Sequence, residues 1–305
     1  MYDVVVVGKA NVDYLVRGPR LPGPGQSVTG DAFREAAGGK GANQAVGAAR
    51  LGARVALIAR IGRDARGDTV LAALRAENVE TGFVTRDPEE PTGVGLCQVG
   101  ASGEKQILSA AGANAKLTVA CVREAAAALA SARVVLCQLG VPLEAVTEAV
   151  RIARSGAARV ILDPGPPAPV PDALIAQLDV IRPNTSEAEA LTGVRVRDRD
   201  TAREAAKDLL RRGARAVAVQ AGEHGDLIVA AGSEAWLPRF SVERLDATGA
   251  GDAFASALAV RLAEGTPLEA AGRFASAAAA LATTVLGAQA SLPRREAVLE
   301  LLARR

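Results

Sequence analysis

The segment from Asp246 to Asp252 reads Asp-Ala-Thr-Gly-Ala-Gly-Asp and runs into an alanine-rich stretch of helical character. Its small residues Gly249, Ala250 and Gly251 let backbone N–H groups come close to a ligand, and a helix start favours an anion there. Asp252 could instead cap these N–H groups, which would be a purely structural role. Asp246 adds a second carboxylate six residues earlier. Two acids on either side of an anion site suit a group that removes a proton beside a phosphate, so this segment is the first candidate for catalysis.

A second glycine-rich segment, Gly-Gly-Lys-Gly-Ala-Asn-Gln, occupies residues 38–44 and precedes another helical pattern. It could be an ordinary helix entry with an exposed Lys40. It could also be a polyol site in which backbone groups and the Asn43 amide bind hydroxyls. Asn11 and Asp13 follow the first apolar run of the chain. Because ligands of α/β sheets bind at the carboxyl ends of strands, we expect these two side chains to converge on the same site.

The elements that position these residues are predicted from periodicity. Almost continuously apolar runs predict buried strands of a parallel sheet at residues 4–7, 55–61, 134–139, 160–162, 180–181 and 217–219. Alanine- and leucine-rich stretches predict helices at residues 42–51, 69–77, 119–130, 143–154 and 202–212, and the chain from Thr248 onward is expected to be almost wholly helical. The alternation predicts an α/β fold with a doubly wound, mostly parallel central sheet flanked by helices.

Two stretches, residues 11–37 and 92–110, interrupt this alternation and predict paired, half-exposed strands. We expect them to form a small β-sheet lid. Residues 1–10, 38–91 and 111–305 would then form the α/β core. A sheet this small leaves one face exposed, so the sequence also predicts a homodimer through the lid.

Composition excludes several classes of protein. The 305 residues are 49% hydrophobic and 23% charged, which indicates a soluble globular chain, and no apolar run reaches membrane-spanning length. A net charge of +2 gives no basic field for nucleic acid or an anionic membrane. Cys97, Cys121 and Cys137 have no Cys-x-x-Cys spacing, which argues against a disulfide framework and favours the cytoplasm. A single His224 excludes mechanisms that need two histidines.

Together the two glycine-rich segments resemble the signatures of the PfkB, or ribokinase-like, family of sugar kinases. The similarity covers essentially the whole chain and extends to residues 11–13, 24–30, 111–114, 182–189 and 287–293. It implies a small-molecule kinase that uses ATP, Mg²⁺ and K⁺. The leading acceptor is D-ribose, phosphorylated at its 5-hydroxyl.

The resemblance also implies a role for individual residues. Asp252 would be the catalytic base, and the N–H groups of Gly249, Ala250 and Gly251 would form an anion hole for the transferred phosphoryl group. The sugar would be held by Asn11, Asp13, Gly39, Lys40 and Asn43. ATP would be bound by Asn184, Glu187, Gln220, Gly222, Gly225, Gly251 and Ser276, with Glu187 holding Mg²⁺ through water. The monovalent cation would lie among Asp246, Thr248, Ala282, Val285, Gly287 and Ser291.

Three departures from the family pattern leave the acceptor open. Gly140 stands where the family usually has a sugar-binding Glu, Gln220 replaces a Thr, and Ser276 replaces a His or Asn. The alternatives are a kinase of the same fold for another sugar or a nucleoside, and a catalytically silent sugar- or nucleotide-binding sensor. Retention of Asp252 argues against the sensor. No Gly-x-Gly-x-x-Gly follows a predicted strand, which disfavours a nucleotide-dependent oxidoreductase.

Overall fold

A computed structural model describes residues 1–102 and 104–304. Gly103 and Arg305, which belong to the predicted ranges 92–110 and 111–305, lie outside the described residues. The strands of the described part are β1 (Val4–Val7), β2 (Asn11–Gly18), β3 (Ala32–Gly38), β4 (Val55–Gly62), β5 (Val84–Asp87), β6 (Gly93–Gly100), β7 (Lys105–Ala110), β8 (Val134–Gln138), β9 (Arg159–Asp163), β10 (Val180–Ile181), β11 (Ala216–Gln220), β12 (Asp226–Ala230) and β13 (Ser233–Trp236).

The helices connect these strands and form most of the C-terminal third. They are α1 (Lys40–Arg50), α2 (Ala65–Ala76), α3 (Val119–Glu124), α4 (Ala126–Ser131), α5 (Leu143–Ser155), α6 (Asp172–Ile175), α7 (Thr185–Thr192), α8 (Arg199–Arg211), α9 (Ala250–Ala263), α10 (Leu268–Ala282), α11 (Ala288–Ser291) and α12 (Arg295–Ala303). Within the described residues, none of them combines the length and the apolar character needed to cross a bilayer.

Nine strands form the central sheet in the order β13-β12-β11-β10-β9-β8-β1-β4-β5. All neighbours from β11 to β5 pair in parallel, and β12 and β13 add an antiparallel edge. Strand β1 is fully buried because Val4 and Val6 pack against one helical layer while Val5 and Val7 pack against the other. Helices α1, α9 and α10 contribute to the first layer, and α5 and α8 to the second. The predicted fold class is thereby confirmed.

The sequence patterns missed some local detail. The stretch predicted as one helix over residues 119–130 is two helices, α3 and α4, which meet at Ala125 with φ −95° and ψ 11°. Strands β5, β12 and β13 were not predicted. Positions in β5 and β13 are partly exposed, which the apolar-run criterion does not detect, whereas β12 contains a short buried apolar run at residues 227–229 that the prediction missed.

A separate four-stranded sheet has the order β3-β2-β6-β7, with β2 and β6 parallel and both outer pairs antiparallel. Asp13 on β2 lies opposite Gly95 on β6. A Cβ atom at Gly95 would lie 2.4 Å from Asp13 Oδ1, and one at Gly38 would lie 2.0 Å from Asp13 Oδ2. The Asp13 carboxylate therefore fits between its neighbours because both lack a side chain.

Candidate active site

Helix α9 begins at a tight glycine turn that leads directly to Asp252. Gly249 precedes the helix with φ 88°, and a Cβ atom there would lie 2.8 Å from the carbonyl oxygen of Ala288. Asp252 is only 7% exposed. Its Oδ2 accepts a hydrogen bond from Asn43 Nδ2 at 2.9 Å and its Oδ1 accepts one from Gln44 Nε2 at 3.1 Å. The carboxylate thus bonds side chains of α1, and no side chain caps the start of α9, where the Ala250 N–H makes a long hydrogen bond of 3.3 Å to the Ala247 carbonyl.

The environment of Asp252 suits a general base. Burial raises its pKa to about 6, the charge of Lys40 opposes this rise, and the charge of Asp163 adds to it. A carboxylate with this pKa is mostly ionised at pH 7 and is a stronger base than an ordinary aspartate. That combination is what proton abstraction near neutral pH requires.

Lys40 lies in a network of buried charges beside Asp252. Its Nζ donates to Asp163 Oδ1 at 2.9 Å and to Glu187 Oε1 at 3.1 Å, and both carboxylates are almost fully buried. Burial acts to lower the pKa of Lys40, but the charges of Asp163 and Glu187 outweigh it and raise the pKa. Gln44 Nε2 joins the network with a 2.7 Å hydrogen bond to Asp163 Oδ2. Lys40, predicted to hold the sugar, is therefore anchored by two carboxylates.

Arg182 brings a second buried cation to the turn before α9. Its Nη1 lies 3.6 Å from Asp163 Oδ2, and its Nη2 donates to Gln220 Oε1 at 2.6 Å. The guanidinium carbon lies 5.2 Å from the centre of the Phe254 ring. A Cβ atom at Gly251 would be 3.2 Å from Arg182 Nη1. The guanidinium thus lies directly against the predicted anion hole.

The predicted sugar residues are divided between two places. Asp13 lines a cavity of about 290 Å³ between the four-stranded sheet and the C-terminal turn, together with Thr248 and Gly287. Burial raises the pKa of Asp13, while Lys9 and a hydrogen bond from the Gly39 backbone oppose the rise. The remaining predicted sugar residues, Asn11, Gly39, Lys40 and Asn43, are not part of that cavity lining.

Asn11 and its neighbours connect the two sheets. Asn11 Oδ1 accepts a hydrogen bond from Asn114 Nδ2 at 2.9 Å. The same Asn114 side chain accepts from the N–H of Ala10 at 2.8 Å and donates to the carbonyl of Ala10 at 3.1 Å. Asn43 bonds Asp252, as described above. The predicted sugar residues are therefore tied both to Asp252 and to β2 of the four-stranded sheet.

A second cavity of about 280 Å³ lies on the other side of the turn. It is lined by Ala250 and by four predicted nucleotide residues, Gln220, Gly222, Gly225 and Ser276. Ser276 Oγ donates to Asp226 Oδ2 at 2.7 Å, and burial raises the pKa of Asp226. The Thr248–Ala250 turn therefore separates two cavities and contributes to both.

Asn184 and Glu187 lie next to this cavity but outside its lining. They form a capping box at the start of α7, in which Asn184 Oδ1 accepts from the Glu187 N–H and Glu187 Oε2 accepts from the Asn184 N–H, both at 2.9 Å. Glu187 Oε1 bonds Lys40, so this carboxylate links the predicted metal position to the charge network.

The segments predicted to hold a monovalent cation come together at the end of α10. Asp246 accepts hydrogen bonds from the Thr248 N–H and the Gly287 N–H, both at 2.9 Å. Ser291 Oγ donates to the Thr248 carbonyl at 3.4 Å. Ala282 is the last residue of α10, where carbonyl groups lack a helical partner. A carboxylate and several carbonyl oxygens are a suitable donor set for a hard cation.

Sequence reasoning assigned no role to several residues that the site contains. They are Gln44, Arg182, Asp163 at the end of β9, Asp226, and Lys105, whose Nζ donates to Thr248 Oγ1 at 3.0 Å. Gln44 lies inside the second glycine-rich segment, and Asp163 ends a predicted strand, so the sequence placed both of them at positions where site residues are expected. Lys105 carried none, because only the tertiary structure brings β7 to the turn at Thr248.

The chain is similar to known proteins over nearly its whole length. The model of the pfkB family carbohydrate kinases matches residues 1–295. A ribokinase of Haemophilus influenzae is 39% identical over 299 residues, 98% of each chain, and a deoxyribokinase of Salmonella typhi is 34% identical over 301 residues, also 98% of each. The solved structure of Arabidopsis thaliana ribokinase complexed with ribose and ATP matches with a TM-score of 0.88 at 32% identity, covering 99% of this chain and 98% of that one.

Proposed function

The chain belongs to the pfkB family of carbohydrate kinases, and we propose that it transfers the γ-phosphoryl group of ATP to the 5-hydroxyl of D-ribose. The observation that carries this proposal is the position of the Thr248–Ala250 turn between two cavities, with Asp252 beside it. We assign the sugar to the space between Asp13 and Asp252, next to the cavity that Asp13 lines, and ATP to the cavity at Gln220 and Ser276. The relatives named ribokinase and the structure complexed with ribose and ATP support ribose as the acceptor.

In the proposed reaction Asp252 takes the proton of the sugar hydroxyl, and the resulting oxygen attacks the γ-phosphorus. The bond between that phosphorus and the bridging oxygen breaks, and ADP leaves. The N–H groups of Gly249, Ala250 and Gly251 stabilise the charge on the transferred group. Positioning and charge stabilisation of this kind supply most of the catalysis in phosphoryl transfer.

We propose that Mg²⁺ is bound mainly by the phosphates of ATP, with Glu187 as an outer ligand through water. Glu187 suits that role because it is 2% exposed and both of its oxygens already accept one hydrogen bond, from Lys40 and from the Asn184 N–H. Each carboxylate oxygen can accept a further bond from a metal-bound water. Mg²⁺ typically retains several waters and uses few protein carboxylates. When bound, the ion would neutralise phosphate charge during transfer.

We also propose a K⁺ site formed by Asp246, by backbone oxygens of Thr248, Ala282, Val285 and Gly287, and by Ser291. Burial acts to raise the pKa of Asp246, but hydrogen bonds from Thr248 and Gly287 outweigh it and keep the pKa below its ordinary value. The carboxylate is therefore ionised at neutral pH and available to a cation. A cation there would fix the turn that carries Gly249.

The K⁺ site predicts a several-fold higher rate in KCl than in NaCl of equal ionic strength, because K⁺ loses its water more easily on entering a carbonyl-lined site. Binding should also raise Tm in KCl, since a ligand that binds only the folded state stabilises it. Steady-state rates and thermal melts of the desalted enzyme measure both effects. Equal rates and equal Tm in KCl and NaCl would contradict the proposed K⁺ site.

The acceptor is tested by a screen of ADP release with ribose, 2-deoxyribose, fructose, adenosine and cytidine. We expect the highest kcat/KM with ribose. The Asp252→Asn protein, purified in the same way, controls for contaminating kinases. If the wild type, given ATP and ribose, releases ADP no faster than this control protein, the proposed function is contradicted. If another acceptor gives a higher kcat/KM than ribose, the protein is still a kinase, but that acceptor takes the place of ribose in the proposal.

We further propose that the four-stranded sheet, within residues 11–37 and 92–110, acts as a lid over the sugar and joins two protomers. Phe33 and Leu108 on this sheet are 62% and 72% exposed, which is unusual for large apolar side chains on a monomer. The free cysteines Cys97, Cys121 and Cys137 suit a reducing cytoplasm, where we place the protein. Sedimentation of the purified protein tests the dimer.

A further inference from the structure

Lys9 occupies the space that Gly140 leaves free. It lies two residues after the end of β1, and its carbonyl accepts a hydrogen bond from the Ala42 N–H at 3.2 Å, which fixes its backbone against the start of α1. A Cβ atom at Gly140 would lie 2.6 Å from Gln138 Oε1, 2.7 Å from Lys9 Cδ and 2.8 Å from Lys9 Cγ. The Lys9 stem can therefore lie where it does only because residue 140 has no side chain.

The ammonium of Lys9 differs from that of Lys40 in having no partner. Within residues 1–102 and 104–304, Lys9 Nζ makes no hydrogen bond and no ion pair. Burial lowers the pKa of Lys9, while the charges of Asp13 and Asp252 oppose this and that of Lys40 adds to it. A half-buried cation without a hydrogen-bond partner loses part of its hydration, and the nearby carboxylate charges offset this loss only in part. It is therefore ready to donate to a ligand.

We propose that Lys9 is a specificity-determining residue that binds the acceptor sugar directly through its ammonium. This inference rests on the proposed function. An ammonium can only donate and a carboxylate can only accept, whereas a hydroxyl does both. Lys9 and Asp13 together therefore suit two hydroxyls of one sugar, one accepting from Lys9 and the other donating to Asp13. Lys9 supplies the contact that a side chain at residue 140 cannot make here.

The test is the Lys9→Met variant. Methionine retains an unbranched stem against Gly140 and removes only the charge and the donor. We expect ribose to bind ten- to a hundredfold more weakly, measured by calorimetry without nucleotide, because hydrogen bonds to charged groups contribute in that range. KM should rise in proportion and kcat should change less. Lys207→Met, which alters an exposed lysine on α8, is the matched control and should bind ribose like the wild type.

A comparison of deoxy analogues separates a direct contact from a general effect. If Lys9 bonds one hydroxyl, Lys9→Met weakens binding of ribose but not of the analogue that lacks this hydroxyl. An equal loss for every deoxy analogue, or no loss for ribose, overturns the inference while ribose phosphorylation by the wild type still stands. If the wild type does not phosphorylate ribose, the proposed function fails, and the same comparison on the best acceptor from the screen decides the role of Lys9.

Discussion

We expect the Asp252→Asn variant to lose about 10²- to 10⁴-fold in kcat and to bind the sugar almost as tightly as the wild type. The amide cannot take the hydroxyl proton, but the Gly249–Gly251 turn that would hold the phosphoryl group is unchanged. Single-turnover rates together with ribose calorimetry measure the two effects separately. A variant with near-normal turnover would falsify the assignment of Asp252 as the base.

The folded structure can accommodate this substitution. Asn43 and Gln44 donate to the Asp252 carboxylate, and their own oxygens, Asn43 Oδ1 and Gln44 Oε1, are buried without a partner. Rotation of the Asn43 amide presents an acceptor to the new NH₂ group, while Gln44 keeps its hydrogen bond to Asp163. Asp68→Asn is the matched control, because Asp68 also lies in the first turn of a helix but is exposed to solvent. We expect this control to retain full activity.

The second large effect is expected from Lys40→Met, which removes the cation between Asp163 and Glu187. Removing one partner of a buried ion pair lowers the free energy of unfolding by roughly 3–5 kcal/mol. We expect a value near the lower end of this range, because Arg182 still lies near Asp163 and partly compensates its charge. The positive charge of Lys40 also opposes the raised pKa of Asp252. Without it that pKa rises further above about 6, so more of the base is protonated at neutral pH. Activity should fall at pH 7 and recover in part at pH 9.

Urea unfolding and the pH dependence of kcat/KM measure these two consequences. The wild type should lose activity as the pH falls through about 6, where Asp252 becomes protonated, and the variant should lose it at higher pH. Lys116→Met is the control, since its ammonium lies 4.0 Å from Glu90 in an exposed pair that contributes little. If Lys40→Met has the same free energy of unfolding as the wild type and loses kcat/KM at the same acidic pH, the role given to Lys40 is contradicted.

Periodicity is sufficient to predict the central sheet because its strands are buried on both faces. The residues of β1 are all valine, and the sequence pattern alone places this strand inside. The edge strand β13 has only exposed or partly exposed positions, and its pattern does not distinguish it from a loop. The break at Ala125, where α3 ends and α4 begins, has no glycine or proline in the sequence to mark it.

The residues of the candidate site also include some that the sequence predicts and some that it does not. Gly249 and Asp252 stand close together in one segment, so their types and spacing are enough to indicate chemistry. The partners of Asp252 are Asn43 and Gln44, about two hundred residues away in sequence, and spacing says nothing about such pairs. The motif around Lys40 indicates a sugar contact, whereas the bonds of Lys40 to Asp163 and Glu187 require three separate segments to fold together.

The position of Asp13 between Gly38 and Gly95 also limits how this site can evolve. While Asp13 is present, a Cβ atom at either glycine collides with its carboxylate, so a change at either glycine alone displaces that carboxylate. Once Asp13 is replaced by a smaller residue, both glycines become free to gain side chains. After they do, the space for the carboxylate is gone and the aspartate cannot return in a single step. These three positions therefore form an epistatic unit in which the loss of the proposed polyol contact is easier than its recovery.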